Sequence, residues 1–249
     1  MRYGWIPDLP DHRDLVLPRA SHALTAALPT HKDLSPYGPA IWDQGDLGSC
    51  TANAIARALQ FDQIKQGEKS FLPSRLFIYY NERVVEGTVR SDAGAQIRDG
   101  IKSVAKLGAC PEWMWPYDVA KFAVKPSARC YASAPQGAAI RYQTVAQDVG
   151  QMRAVLAGNN VIVVGFTVYE SFESDRVAST GIVAMPAPHE AVVGGHAVTV
   201  VGYDDATRRF KCANSWGTSW GQQGYFTIPY EYLTDPNLAD DFWVVQQVK

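Results

Sequence analysis

Gln44-Gly45-Asp46-Leu47-Gly48-Ser49-Cys50-Thr51-Ala52-Asn53 carries a glycine-rich loop straight into a helix signal. Ser49 suits an N-cap, and Ala52, Ile55, Ala56, Leu59 and Ile64 recur at roughly helical spacing until Gly67 stops the pattern. Cys50 therefore falls in a first turn. A thiol there faces unpaired backbone N–H groups and the positive end of the helix dipole, and both favour thiolate. The amide of Gln44, six residues upstream, can turn back to the same point. Taken alone, the stretch leaves two readings open: a reactive nucleophile or a free cysteine that is simply inside.

The chain around it changes period at mid-length. Before residue 138 the signals are helical. Pro73 to Glu86 places Leu76, Phe77, Tyr80 and Val84 on one face, with the proline in the permitted first turn; Ala95 to Leu107 repeats Ile97, Ile101, Val104 and Leu107 before Gly108. Pro111 to Pro135 has no period and reads as a long loop packed by Trp113, Trp115 and Tyr117. After residue 138 comes one helix, Asp148 to Ala157 with Asp148 as N-cap, among β-branched runs. The strands expected are Ala139–Val145, Val161–Tyr169, His196–Tyr203, Arg209–Asn214, Tyr225–Pro229 and Phe242–Val248. A helical half (28–137) followed by a strand-rich half (138–249) predicts an α+β architecture with any site in the groove between them. Residues 1–27, broken by Pro7, Pro10 and Pro18, read as an extended arm anchored by Tyr3, Trp5, Ile6, Leu15 and Leu17.

Composition narrows the function. With 249 residues, 47% hydrophobic and 19% charged, the chain can bury a large core. A formal charge of −2, from 23 basic and 25 acidic residues, writes neither a nucleic-acid footprint nor a polybasic membrane patch. The longest apolar run, around Val161 to Val164, is far short of the roughly 20 residues of a spanning helix. Met1 to Asp8 lacks the apolar stretch of a signal peptide, although a trimmed chain looks the same, so the compartment stays open. Four cysteines do not make a disulfide scaffold. If Cys50 is reactive, at most one bridge remains, and Cys110 with Cys130 is the pair to expect; Cys212, in an apolar strand, reads as an inert buried thiol. Neither the cysteines nor His12, His22, His31, His189 and His196 show metal-ligand spacing, so no metal and no cofactor are expected.

Two further segments stand out. Gly194-Gly195-His196-Ala197-Val198 puts a histidine at the mouth of an apolar strand, and Asn214-Ser215-Trp216-Gly217-Thr218-Ser219-Trp220-Gly221 puts an amide before two Trp-Gly pairs. Each alone has a structural reading. Together, in the order Cys50, His196, Asn214, they resemble the papain and cathepsin family of cysteine peptidases. Gln44-Gly45 with Gly48-Ser49-Cys50 resembles that family's nucleophile loop, Gly195-His196-Ala197-Val198 its histidine strand, and Asn214-Ser215-Trp216-Gly217 its asparagine loop. The resemblance covers roughly residues 28–249.

It implies a papain-like fold, with a helical half, an antiparallel β-barrel-like half and the active site in the cleft between. It also implies a monomer acting on polypeptides. Cys50 would attack the scissile carbonyl as thiolate, and His196 would pair with it and protonate the leaving amine. Asn214 would orient the histidine, and Gln44 with the Cys50 N–H would form the oxyanion hole. Trp216 would shield the His196–Asn214 hydrogen bond. Gly94 and Gly195 are the expected substrate-binding glycines.

The chain also departs from the family pattern. Leu47 stands where the family has a cysteine and Thr51 where it has a tryptophan, so the loop must be held by packing alone. The thirty or so residues before the catalytic body are too few for the family's helical propeptide; the Trp5–Pro18 segment is expected to occupy part of the cleft and restrain the enzyme. An exopeptidase, an acyl transferase and a peptide-binding protein on a retired peptidase fold are the alternatives. Specificity turns on whether Asp241 or Phe242 points inward.

Overall fold

The computed structural model describes residues 2–134 and 140–247. Helix starts follow their caps. Helix α1 (His22–Ala26) begins at Ser21, whose side chain accepts from Leu24 N–H, so the arm is not extended throughout. Strand β1 (His31–Asp33) leads to α2 (Cys50–Lys65). Helix α3 (Arg75–Glu86) starts at Ser74, whose Oγ accepts from Phe77 N–H at 3.1 Å; Pro73 therefore lies outside the helix rather than in its first turn. Helix α4 (Ile97–Leu107) ends at Gly108, which takes a φ of 75° that a side chain would disfavour. The expected loop after it contains a short helix, α5 (Ala128–Ser133).

Strand β2 (Ile140–Thr144) precedes α6 (Val149–Ala157), which is capped by Asp148 onto Gln151 N–H at 2.9 Å as the sequence predicts. Then come β3 (Ile162–Tyr169), α7 (Asp175–Thr180), β4 (Val192–Asp204), β5 (Arg209–Ala213), β6 (Tyr225–Pro229), α8 (Tyr230–Thr234) and β7 (Ala239–Gln247). Ala139 and Val248, the outer ends of two expected strands, and the 137/138 boundary between the halves lie outside the described residues.

All strand pairs are antiparallel in the order β2-β7-β3-β4-β5-β6, with β1 also on β4. The two end strands do not pair with each other, so the sheet stays unclosed. The helices pack against it as an α+β, papain-like fold. Helix α2 is the central contact: it lies on α3 and α4 on one side and on β4 and β7 on the other. It is buried on nearly all faces, unlike an ordinary amphipathic helix. Ala52, Ala54, Ala56 and Ala58 are buried and keep the helix slim on several faces, and Ile55 and Leu59 are buried beside them.

Candidate active site

Sheet register brings two of the expected residues together. Strand β4 is longer than the sequence suggests, so His196 sits within it, opposite Phe166 of β3, and not at its mouth. Thr199 of β4 pairs with Ala213 of β5, which leaves Asn214 just past the strand end and within reach of the histidine. Its Oδ1 lies 2.8 Å from His196 Nε2 and also accepts from Ser215 N–H at 2.9 Å, which fixes the amide oxygen toward the ring. Trp216 stacks on the imidazole at 4.9 Å and 27°. Phe166 meets the ring edge-on at 5.8 Å. These rings exclude water from the His196–Asn214 bond. The other nitrogen, Nδ1, is buried without a hydrogen-bond partner.

The nucleophile loop is held differently from the expectation of packing alone. Cys50 is the first residue of α2, but Ser49 does not cap the helix. Its hydroxyl instead meets Tyr117 Oη at 2.5 Å and accepts from Asn53 Nδ2 at 3.0 Å. Tyr117 Oη also donates to the Gln44 carbonyl at 2.9 Å. Asp92 takes the place of a covalent tie: its Oδ1 accepts from Gly48 N–H at 3.0 Å and from the Tyr79 hydroxyl. Leu47 is buried, and Thr51 uses its hydroxyl to donate to Glu82 Oε1 at 2.7 Å. Gln44 is locked by Ser215 Oγ, which donates to its Oε1 at 2.5 Å, and its Nε2 donates to Leu47 O at 2.8 Å.

The N-terminal arm lies in the cleft. Gln44 Nε2 also donates to the carbonyl of Arg2 at 3.2 Å. Tyr3 stands edge-on to His196 and to Trp216, each at 6.0 Å, and donates to Glu173 Oε1 at 2.7 Å. Gly4 O accepts from Ala95 N–H at 2.7 Å, Ile6 N–H donates to Ala95 O at 3.1 Å, and Trp5 N–H donates to Gly195 O at 2.9 Å. Trp5 and Ala95 thus pair in parallel.

Of the two expected glycines, Gly195 both binds backbone and leaves room, since a Cβ there would lie 2.5 Å from Trp5 O. Gly94 supplies space alone: its φ is 76°, a Cβ would meet Gly4 O at 2.2 Å, and its own N–H turns to Tyr79 Oη at 3.3 Å. The backbone partner is its neighbour Ala95. The segment in the cleft, Arg2 to Trp5, lies upstream of most of the expected Trp5–Pro18 stretch. Farther along, Leu17 N–H and Leu15 O bond to Thr144, so that part of the arm covers the edge of β2.

The covered site is dry and uncharged. Desolvation pushes the Cys50 thiol up to about 12, although the backbone N–H groups of Ala197, Gly4 and Thr51 pull the other way. The thiolate expected from a helix start is therefore overruled by burial. His196 is pushed down to about 4 by the same cause, against the opposing bond to Asn214. Cys110 and Cys130, the expected bridge, are free thiols; Cys130 Sγ sits 3.2 Å from Ser127 Oγ. Cys212 is likewise free and wholly buried. No group of His, Cys, Asp or Glu among the described residues could hold a metal ion. Asp241, not Phe242, is the residue that meets the occupant: its Oδ2 accepts from Trp5 Nε1 at 2.8 Å. The sequence reading assigned no site role to Asp92, Tyr117, Ser215 or Ala95, although Ser215 adjoins Asn214, Ala95 adjoins Gly94 and Asp92 lies two positions from Gly94.

Known proteins share the sequence pattern and the fold. The family profile "Papain family cysteine protease" matches residues 28–241. Xylellain, a cysteine protease from Xylella fastidiosa, superposes with a TM-score of 0.93 at 45% identity, covering 99% of this chain and 96% of that one. A peptidase C1-like protein of Acanthamoeba polyphaga mimivirus is 48% identical over 215 residues, 83% of this chain and 69% of the viral protein. Procathepsin L 3 of Tenebrio molitor shares the fold at a TM-score of 0.69 and 17% identity. By profile, sequence and fold together, the chain belongs to the papain family of cysteine proteases.

Proposed function

We propose that this protease is an endopeptidase in which Cys50 is the nucleophile, His196 the acid and base, Asn214 the residue that orients the imidazole, and Gln44 a donor of the oxyanion hole. The carrying observation is the arm itself. It is an extended peptide lying through the cleft, with a carbonyl 3.2 Å from Gln44 Nε2 and residues on both sides of Cys50. A cleft that takes a chain running through it suits cleavage within a polypeptide.

In the chemistry proposed, the Cys50 thiolate adds to the scissile carbonyl and the Gln44 amide binds the oxygen as it gains charge. His196 gives a proton to the leaving amine, and water then hydrolyses the thioester with His196 as base. Nδ1 of His196 is the nitrogen free for that proton, because Asn214 holds Nε2.

The arm also restrains the enzyme. The Gly4 N–H faces the Cys50 sulfur, so the segment covers the proposed nucleophile. Gly4 offers a clean test, since a Cβ there would lie 1.8 Å from the backbone oxygen of Gly48, which cannot give way. Gly4→Ala should expel the arm, leave every cleft residue in place and raise kcat/KM at least tenfold on a peptide blocked at both ends. Cys50→Ala should abolish cleavage of the same peptide, with mass spectrometry locating the cut. Undiminished turnover by Cys50→Ala would refute the nucleophile. Products confined to terminal fragments of unblocked peptides would refute the endopeptidase reading.

A further inference from the structure

Where the arm leaves the cleft, it brings a second buried acid beside Asp241. Asp241 Oδ2 accepts from Asp8 N–H at 2.8 Å as well as from Trp5 Nε1. Asp8 Oδ1 accepts from Arg98 N–H and its Oδ2 from Trp243 Nε1, both at 3.1 Å, and its side chain is 2% exposed. Asp241 is 8% exposed and holds a φ of 59°, so both carboxyls are largely withdrawn from water while the arm is docked.

Little positive charge offsets them. The Arg98 guanidinium is 2.8 Å from Asp14 and only 4.0 Å from Asp8. Lys102 is taken up by Asp11 at 3.3 Å. The remaining groups that face the pair are acidic: Asp240 on β7, Asp99 on α4 and Glu86 on α3.

We propose that Asp8 and Asp241 form a proton-operated latch, in which docking the arm takes up a proton between the two carboxyls and a rise in pH releases it. The proposal rests on the reading that the arm occupies the cleft. Desolvation holds both carboxyls well above the ordinary carboxylate range, and the charge of Asp8 raises Asp241 further. A group whose docked form binds its proton more tightly stabilises docking fully below its free pKa, near 4, and loses that contribution as pH rises toward neutrality. For each proton taken up, docking weakens about tenfold per pH unit within that window. His196 acts in the opposite sense, because the arm covers it in the neutral state and protonation below about 6.5 favours release. The latch must therefore be read against an isosteric reference and not from wild type alone.

Asn at both positions supplies that reference, since its Oδ1 keeps the acceptor without the charge. Amide hydrogen exchange at residues 3–6 should be compared between wild type, Asp8→Asn and the Asp8→Asn/Asp241→Asn pair at pH 5 and pH 8. The ratio of variant to wild-type protection cancels both His196 and intrinsic exchange. For the pair it should exceed one already at pH 5, about one unit above the free pKa, and be at least about tenfold larger again at pH 8, while the ratio for Glu86→Gln changes less between the two. Asp8→Asn, on the arm and outside the folded body, should show the same direction with a smaller gain. A ratio that does not change with pH, in proteins whose arm amides are protected, overturns the latch and leaves the docked arm standing. Arm amides that exchange at free-peptide rates in every variant overturn the docked arm, and the latch with it.

Discussion

His196 and Cys50 open onto the same cleft, yet the structure secures them by different means. His196 is held by the β3–β4 register, by stacking on Trp216 and by the Asn214 oxygen, itself fixed by Ser215 N–H. Cys50 follows a loop whose hold comes largely from a few polar links, Asp92 to Gly48, Tyr117 to Gln44 and Ser49, and Ser215 to Gln44. Ring packing is spread over many contacts, and losing one ring leaves others. A hydrogen bond to a buried carboxylate is concentrated, and its loss leaves a polar group stranded at a cost of about 1–3 kcal/mol. The sheet wall should therefore tolerate change in its surroundings, and the helix wall should not.

Substitutions can break that contrast at three depths. Replacing the proposed acid and base itself, His196→Ala, should lower kcat by about a hundredfold to ten-thousandfold, the usual worth of a positioned acid and base, with little change in thermal midpoint. On the helix wall, Asp92→Ala removes the acceptor of Gly48 N–H and of Tyr79 Oη. It should cost about 2 kcal/mol by denaturant titration and lower kcat more than it changes KM, because the Gln44–Cys50 geometry loosens. Trp216→Phe, on the sheet wall, retains a ring over the imidazole and should cost about 1 kcal/mol of stability with a severalfold fall in kcat. If Trp216→Phe proves more damaging to turnover than Asp92→Ala, the two walls do not differ as described.

The two walls also differ in how much of them the amino-acid sequence discloses. The α+β architecture, the start of α6 and the central strands follow from period and caps, which act within a dozen residues. Cys50, His196, Asn214 and Gln44 could be proposed from the sequence because their side-chain chemistry and order survive in a linear reading. The ties of the nucleophile loop could not. Asp92 lies 44 positions from Gly48 and Ser215 lies 171 from Gln44, and nothing local marks such pairings. The charge state of Cys50 failed for a related reason. A helix start favours thiolate wherever water reaches it, and only the tertiary placement of Arg2 to Trp5 removes the water. The arm's aromatic anchors announced that it packs somewhere; that Arg2 rather than Pro18 reaches the Gln44 amide depends on the run of the backbone past Ala95 and Gly195.

The arm keeps Cys50, the proposed nucleophile, dry and neutral. The most direct measurement of this is the rate of Cys50 alkylation by iodoacetamide from pH 5 to 9, in the full chain and in Gly4→Ala, with the modified cysteine identified by mass spectrometry. At neutral pH the account predicts slow modification of the full chain and modification at least tenfold faster in Gly4→Ala, with a thiolate titrating well below that of the covered enzyme. Equal rates and superimposable pH profiles in the two proteins would contradict it.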